Sequence, residues 1–65
     1  MAPWKGQMLK TIRERRGLTQ AELAKRVKAH TMTISRLERG ARRPSVDLLQ
    51  RLARALRVRM EELLG

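Results

Sequence analysis

The amino-acid sequence predicts an all-α fold, a compact bundle of five short helices with short connections. Apolar residues recur at three- and four-residue spacing along the chain, as on the buried face of a helix, and do not alternate as in a strand. Glycine or proline interrupts this pattern at positions 3, 6, 17, 40 and 44. Because a chain of 65 residues is the size of one small domain, we expect residues 1–65 to share a single core.

The first helix is predicted over residues 5–16, and Gly17 supplies the left-handed residue that ends it. The second helix is predicted over residues 20–27. Its start is marked by Thr19 and Glu22, which match a capping box, in which each side chain binds a free backbone N–H of the other residue. The residues expected to face the core are Met8, with Trp4 folded against it, Leu9, Ile12, Leu23, Ala24 and Val27.

Three further helices are predicted over residues 31–39, 46–57 and 60–64. Gly40 ends the first of these, and Pro44 prevents it from running into the next, because proline cannot continue a helix. The residues expected to face the core are Ile34, Leu37, Leu49, Leu52, Ala53, Leu56, Val58, Met60 and Leu63.

Two groups on the fourth and fifth helices are expected at the surface. Leu48 lies outside the apolar face of the fourth helix that is expected to face the core. We therefore expect it to form a self-association patch with Met60 and Leu64. A line of cations at three-residue spacing is expected to be solvated and comprises Arg51, Arg54 and Arg57.

The dominant feature of the composition is positive charge. Sixteen Lys and Arg residues oppose six Asp and Glu residues, which gives a net charge of +10 at pH 7. Such an excess attracts polyanions, either nucleic acid or an anionic membrane surface. Most of the cations are arginine, whose planar fork suits phosphate and guanine, although a GC-rich genome is a second explanation of that bias.

Several classes of protein do not fit this sequence. It has no cysteine, and His30 is its one histidine, so neither a disulfide framework nor a metal or other cofactor is expected. No apolar run reaches the roughly 20 residues that span a bilayer, and the first residues lack the apolar centre of a secretory signal. No arrangement of nucleophile, base or phosphate loop indicates an enzyme. We therefore expect a cytoplasmic protein without catalytic activity.

The stretch RVKAHTMTIS, residues 26–35, is where two predicted helices meet without a glycine or proline between them. Residues 28–30 alone join these helices, so they must cross steeply, at roughly 90–120° in a helix-turn-helix. The third helix then stands clear of the bundle and can enter a DNA major groove about 12 Å wide. On a helical wheel, the outward face of this helix carries Thr31, Met32, Ser35, Arg36 and Arg39.

The chain resembles the Cro/C1-type (XRE-like) helix-turn-helix family of phage and bacterial repressors over residues 9–64. The resemblance rests on the segments GLTQAELAKRV, TISRLERG, RPS and LLQRLARALRVRMEELL, in this order. It implies a lambda-repressor-like DNA-binding domain, with its helix-turn-helix at about residues 19–39. It also implies sequence-specific binding of double-stranded DNA as a transcriptional regulator, with repression as the expected mode. The implied assembly is a homodimer on a near-palindromic operator whose half-sites lie about 34–36 Å apart.

The resemblance also implies roles for individual residues. Those implied to contact base edges are Thr31, Met32, Ser35 and Arg36. Those implied or expected to contact phosphates are Gln20, Arg39, Arg42 and Arg43. Gln20 is further implied to brace the recognition helix, and Arg13 and Glu38 to form a structural ion pair between the first helix and the end of the third. Alternatives stay open, since Arg36 can bind a phosphate instead and Met32 can shield the bundle.

Three positions depart from the family pattern. Lys28 in the turn and Arg57 after the fourth helix replace customary glycines. A residue with a Cβ costs roughly 1–2 kcal/mol in the left-handed conformation, so we expect strain at Lys28. His30 is expected to cap the third helix, where the family prefers Ser or Thr.

Two other functions fit the same sequence. An antitoxin of a toxin–antitoxin pair would use this fold for DNA and bind a toxin protein as well. A cationic module would bind any polyanion or a membrane with equal affinity, whereas a regulator should prefer its operator over random DNA by at least ~10³. Of the three, a DNA-binding regulator is the expectation, without a membrane partner.

Overall fold

A computed structural model describes residues 4–64 of the chain, which form five α-helices. The helices are α1 (Gly6–Arg15), α2 (Gln20–Arg26), α3 (Thr31–Glu38), α4 (Val46–Leu56) and α5 (Met60–Leu64). The predicted bounds are thus confirmed to within one residue at either end of every helix. Pro3, one of the predicted interruptions, lies outside the described residues.

One cluster of buried apolar side chains fills the centre of the bundle. Helix α1 packs against α3 and α5, while α2 packs against α3 and α4, so every helix contributes to the same core. The largest fully buried side chains are Leu9, Leu23, Val27, Ile34, Leu37, Leu52, Leu56 and Leu63. Val58 and Met60 are half-buried and pack against this cluster. The predicted core is therefore confirmed, with one exception.

Two predictions about apolar positions are wrong. Met8, expected inward, is 37% exposed, because the buried face of α1 is formed by Gly6, Leu9, Ile12 and Arg13 and Met8 lies beside it. Leu48, expected in a surface patch, is only 6% exposed. It lies one turn before Leu52 on the same face of α4 and belongs to the core, so it is not available for self-association.

The start of α1 is fixed on the end of α3. A Cβ at Gly6 would collide with the carbonyl oxygens of Leu37 and Glu38, so only glycine allows the two helices to approach this closely. The indole N–H of Trp4 donates a hydrogen bond of 2.8 Å to the carbonyl of Leu37. Trp4 thus holds α1 against α3, a role that differs from its predicted contact with Met8.

The capping box at the start of α2 is confirmed. The Glu22 N–H donates to the Thr19 hydroxyl at 3.0 Å, and the Thr19 N–H donates to the Glu22 carboxylate at 2.8 Å. The hydrogen bond from the Thr19 backbone lowers the pKa of Glu22. His30 occupies the predicted N-cap position of α3, but its side chain makes no capping hydrogen bond, so the predicted capping role is wrong.

Helices α1 to α4 all end in the same motif. After each helix comes one residue with positive φ, namely Gly17 (70°), Lys28 (56°), Gly40 (74°) and Arg57 (58°). The N–H of this residue bonds the carbonyl three positions earlier, and the following N–H bonds the carbonyl five positions before itself. This is the Schellman pattern, which satisfies carbonyls that a helix end would otherwise leave free. The predicted left-handed conformations of Lys28 and Arg57 are confirmed.

The two helix ends that lack glycine are each held by an arginine side chain. Arg51 of α4 donates from Nη1 to the carbonyl of Val27 at 2.7 Å, directly before Lys28. Arg16 donates from Nε to the carbonyl of Leu56 at 2.8 Å, directly before Arg57. The prediction that Arg51 is a solvated charge is therefore wrong. Arg54 and Arg57 are exposed, as predicted.

We predict that Lys28→Gly stabilises the domain. Glycine removes a left-handed penalty of about 1–2 kcal/mol, partly offset by the entropy that glycine gains in the unfolded chain. A net gain of about 1 kcal/mol raises the Tm of a domain this small by about 4–8 °C in a calorimetric or circular-dichroism melt.

Lys25→Gly is the matched control, because Lys25 is an exposed lysine like Lys28 but lies within the helical part of α2. This control should lose about 1 kcal/mol. A Tm that is unchanged or lower in Lys28→Gly would contradict the assignment of strain to Lys28.

Candidate nucleic-acid interface

Helix α3 presents one face to the core and the other to solvent. Ile34 and Leu37 are 0% exposed, whereas Met32 on the opposite side is 56% exposed. The predicted outward residues follow the same division: Thr31, Met32, Arg36 and Arg39 are exposed and Ser35 is half-buried. The helical-wheel prediction of the two faces is therefore confirmed, while contact of these side chains with DNA stays a prediction.

A buried ion pair fixes the end of this helix. Arg13 of α1 meets the Glu38 carboxylate through two hydrogen bonds, from Nε to Oε2 at 2.6 Å and from Nη2 to Oε1 at 3.1 Å. The two side chains are only 9% and 3% exposed. The guanidinium also donates from Nη1 to the carbonyl of Leu18 at 2.7 Å. Hydrogen bonding to Glu38 raises the pKa of Arg13, whose guanidinium keeps its charge in any case.

Gln20, the first residue of α2, joins the same carboxylate. Its amide Nε2 donates to Glu38 Oε1 at 3.0 Å. Three helices are thus tied together at one side chain: α1 through Arg13, α2 through Gln20 and α3 through Glu38 itself. The structure therefore contains the ion pair that the resemblance to the family implied, and Gln20 contacts α3 as the implied brace would. Phosphate binding by Gln20 stays a prediction.

The exposed side of this region carries positive charge. Glu38 is the one acidic residue of α3, and its charge is matched by Arg13. Arg36 is exposed on α3 and Arg39 directly after it, and the connection to α4 adds two further exposed arginines, Arg42 and Arg43. A surface with this excess of positive charge attracts acidic polymers such as nucleic acid.

The structure brings three of the residues predicted to contact DNA together at one groove, beside Glu38 of the ion pair. Gln20, Ser35 and Arg39 line it, together with Lys10 of α1 and Lys5, the residue directly before α1. Sequence reasoning did not assign these two lysines, because only the packing of α1 on α3 places them beside the recognition helix. Arg43 lies elsewhere, in a groove that it shares with Trp4 and Val46.

Within residues 4–64, no three His, Asp or Glu side chains are arranged to hold a metal ion. No helix in this range has the length and apolar character needed to cross a membrane.

Comparison with known proteins identifies the family. A family profile described as helix-turn-helix matches residues 9–63. The chain belongs to the Cro/C1-type helix-turn-helix family. An uncharacterised HTH-type transcriptional regulator of Archaeoglobus fulgidus is 40% identical over 55 residues, which cover 85% of this chain and 79% of the relative. Another, from Mycobacterium tuberculosis, is 38% identical over 58 residues that cover 89% of this chain. The chain spans only 41% of the length of that second relative.

Solved structures of helix-turn-helix regulators superpose on nearly the whole chain. The biofilm master regulator SinR of Bacillus subtilis, crystallised in complex with DNA, gives a TM-score of 0.87 at 30% identity, covering 92% of this chain and 97% of that one. The restriction-modification controller protein C.AhdI of Aeromonas hydrophila gives a TM-score of 0.86 at 34% identity, covering 89% and 88%. The five-helix arrangement is therefore that of Cro/C1-type DNA-binding domains.

We predict that Glu38→Ala costs about 3–5 kcal/mol of unfolding free energy, because it leaves the buried guanidinium of Arg13 without its carboxylate. Urea unfolding measures the loss. The control is Glu14→Ala, which removes an exposed glutamate from α1 and should change stability by less than about 0.5 kcal/mol.

A double variant keeps this test decisive if Glu38→Ala does not fold. Arg13→Met combined with Glu38→Met replaces both charges with apolar side chains and should recover most of the loss. If Glu38→Ala instead unfolds like Glu14→Ala, the pair does not hold α3 in place.

Proposed function

We propose that this chain binds double-stranded DNA sequence-specifically as a transcriptional regulator, with α3 in the major groove. One observation carries the proposal. Buried contacts with α1 and α2 hold α3 from one side. The other face of α3 is exposed and carries no unpaired negative charge. A rigid, protruding helix with short polar side chains at its start and cations near its end matches the demands of a major groove.

The residues divide by what they would contact. Thr31, Met32 and Ser35, near the N-terminal end of α3, would approach base edges, and Arg36 would fork onto a guanine. Met32, being large, apolar and exposed, suits the methyl group of a thymine. Backbone phosphates would be bound by Gln20, Arg39, Arg42 and Arg43. Such contacts fix the position of the protein along the DNA, and the base contacts select the sequence.

A homodimer on a near-palindromic operator is the assembly that we propose. A single α3 of eight residues reaches only a few base pairs, so specificity over a genome requires a second copy. Two-fold related recognition helices would then meet half-sites about 34–36 Å apart. Binding at such a site would repress by blocking access to a promoter, in the cytoplasm of a bacterium or of a phage-infected cell.

The alternatives receive less support. The relatives and solved structures named above are described as regulators or as a controller protein, and none of these as an antitoxin. A toxin partner therefore stays an untested alternative. Regulation by binding, without catalysis or a cofactor, is the activity that the exposed face of α3 supports.

Selection from a random pool of DNA duplexes tests this function. The wild-type chain should enrich a near-palindromic consensus. Selection with Arg36→Ala should give the same consensus with the preference lost at one base pair in each half-site, since a bidentate arginine contributes about 1–3 kcal/mol of discrimination.

Arg43→Ala is the matched control for that selection, because it removes an exposed arginine from the phosphate-facing connection. It should leave the consensus intact and weaken binding to every sequence alike, with a salt slope reduced by about one. Failure of the wild-type chain to enrich any sequence would reject sequence-specific regulation and favour a module that binds any polyanion.

A further inference from the structure

The turn between α2 and α3, residues 27–30, is held by a side chain from α4. Arg51 donates from Nη1 to the carbonyl of Val27 at 2.7 Å, and its Nη2 meets the Asp47 carboxylate at 2.9 Å. We propose that Arg51 is a positioning residue for DNA recognition, which fixes the direction in which α3 leaves the turn without itself touching DNA. This inference rests on the function proposed above and names a residue on which its sequence selectivity depends.

The bond from Arg51 acts on the peptide unit that enters the left-handed residue. The carbonyl of Val27 and the N–H of Lys28 belong to one planar peptide. That N–H donates to the carbonyl three residues earlier at 3.3 Å, so the peptide is held at both of its polar groups. The next N–H along the chain donates at 2.9 Å to the carbonyl five residues before it. Lys28 thus lies between two fixed peptide planes, whose relative orientation sets its backbone angles, including a φ of 56°.

A lysine at this position needs a restraint that a glycine would not, because a Cβ penalises the left-handed conformation. The same arrangement occurs once more in the chain. Arg16 donates from Nε to the carbonyl of Leu56 at 2.8 Å, directly before Arg57, whose φ is 58°. The two helix ends that carry glycine, Gly17 and Gly40, have no matching side-chain donor in the described part of the chain. An arginine contact therefore accompanies each left-handed residue that has a side chain.

The turn determines where the start of α3 points. Thr31 and Met32, which are proposed to approach base edges, follow the turn directly, whereas the ion pair of Glu38 holds the far end of the helix. A change in the angle of the turn would displace these two side chains from the bases, because hydrogen bonds to base edges are directional. Charge attraction to phosphates depends on distance and much less on direction. Loss of Arg51 should therefore weaken base reading more than phosphate binding.

The test compares Arg51→Met with Arg54→Met in the full chain. Arg54 is an exposed arginine of the same helix, so its variant loses the same charge without losing the contact with Val27. Fluorescence anisotropy measures the affinity of each variant for the selected duplex and for a random-sequence duplex of equal length, at salt from about 50 to 200 mM. The temperature is kept well below the Tm of every variant, so that a loss of global stability alone does not change the measured affinity.

Arg51→Met should bind the selected duplex about tenfold more weakly than Arg54→Met does, which is the scale of one hydrogen bond from a charged group. The two variants should bind the random duplex equally and should share one slope of log K against log[salt], because neither side chain contacts a phosphate. A lower Tm with both affinities unchanged would make Arg51 a purely structural residue and overturn the proposal. An equal loss for both duplexes, with a slope lowered by about 0.9, would instead mark a phosphate contact and overturn it as well.

A second arm asks whether Arg51 acts through the left-handed residue. In a Lys28→Gly background, Arg51→Met should weaken binding to the selected duplex by less than about threefold, because glycine adopts the turn without the restraint. The same loss as in the Lys28 background would contradict the proposal. If Arg51→Met alone does not fold, the double variant should fold, and its failure to do so would equally contradict it. If the wild-type chain prefers no duplex, the proposed function itself fails, whereas equal selectivity of Arg51→Met and wild type rejects only the positioning role.

Discussion

The position of the recognition helix depends on the buried contact between Arg13 and Glu38. Helix α3 has eight residues, fewer than the roughly 12–15 at which an isolated helix is even marginally stable, so its form and direction come from what it packs against. Apolar contacts of Ile34 and Leu37 bury its inner face but do not fix its rotation finely. The bidentate ion pair fixes the rotation of α3, because the buried carboxylate of Glu38 must meet the guanidinium of Arg13 in one geometry. A buried pair adds little net stability, and its value here is that α3 has one orientation.

Arginine serves two purposes in this small protein. Arg13, Arg16 and Arg51 donate to carbonyl groups at helix ends or in loops, and two of them hold the ends at which a lysine or an arginine replaces the customary glycine. These side chains belong to the fold, and the excess of charge remains large without them. The exposed cations on α3 and on the connection after it are the ones available to DNA. The high arginine content therefore has a structural explanation, in addition to the binding of phosphate and guanine and to a GC-rich genome.

Local patterns in the sequence predicted what is local in the structure. The capping box at Thr19, the left-handed ends and the helix bounds depend on residues within one or two turns. Apolar periodicity placed Met8 and Leu48 wrongly because a buried stripe spans about 100° or more, and its edges depend on which neighbour packs there. The contacts of Gly6 and Arg51, and the position of Lys5 and Lys10 beside the end of α3, depend on segments far apart in the chain, so no spacing rule could reveal them. The ion pair and the Gln20 brace were implied by resemblance to the family, which carries three-dimensional information that a single sequence lacks.

The most direct test of this account is to map the DNA-bound surface by following backbone amide resonances of the labelled chain as its selected duplex is added. The largest shifts should fall on residues 31–36, on Gln20 and on Arg42 and Arg43, while α5 and the exposed face of α4 remain unchanged. If the side-chain amide of Gln20 also shifts while the Arg13–Glu38 contact is preserved, Gln20 both braces α3 and contacts DNA. Shifts centred on α4 and α5, or spread evenly over the surface, would contradict the assignment of α3 as the helix that reads DNA.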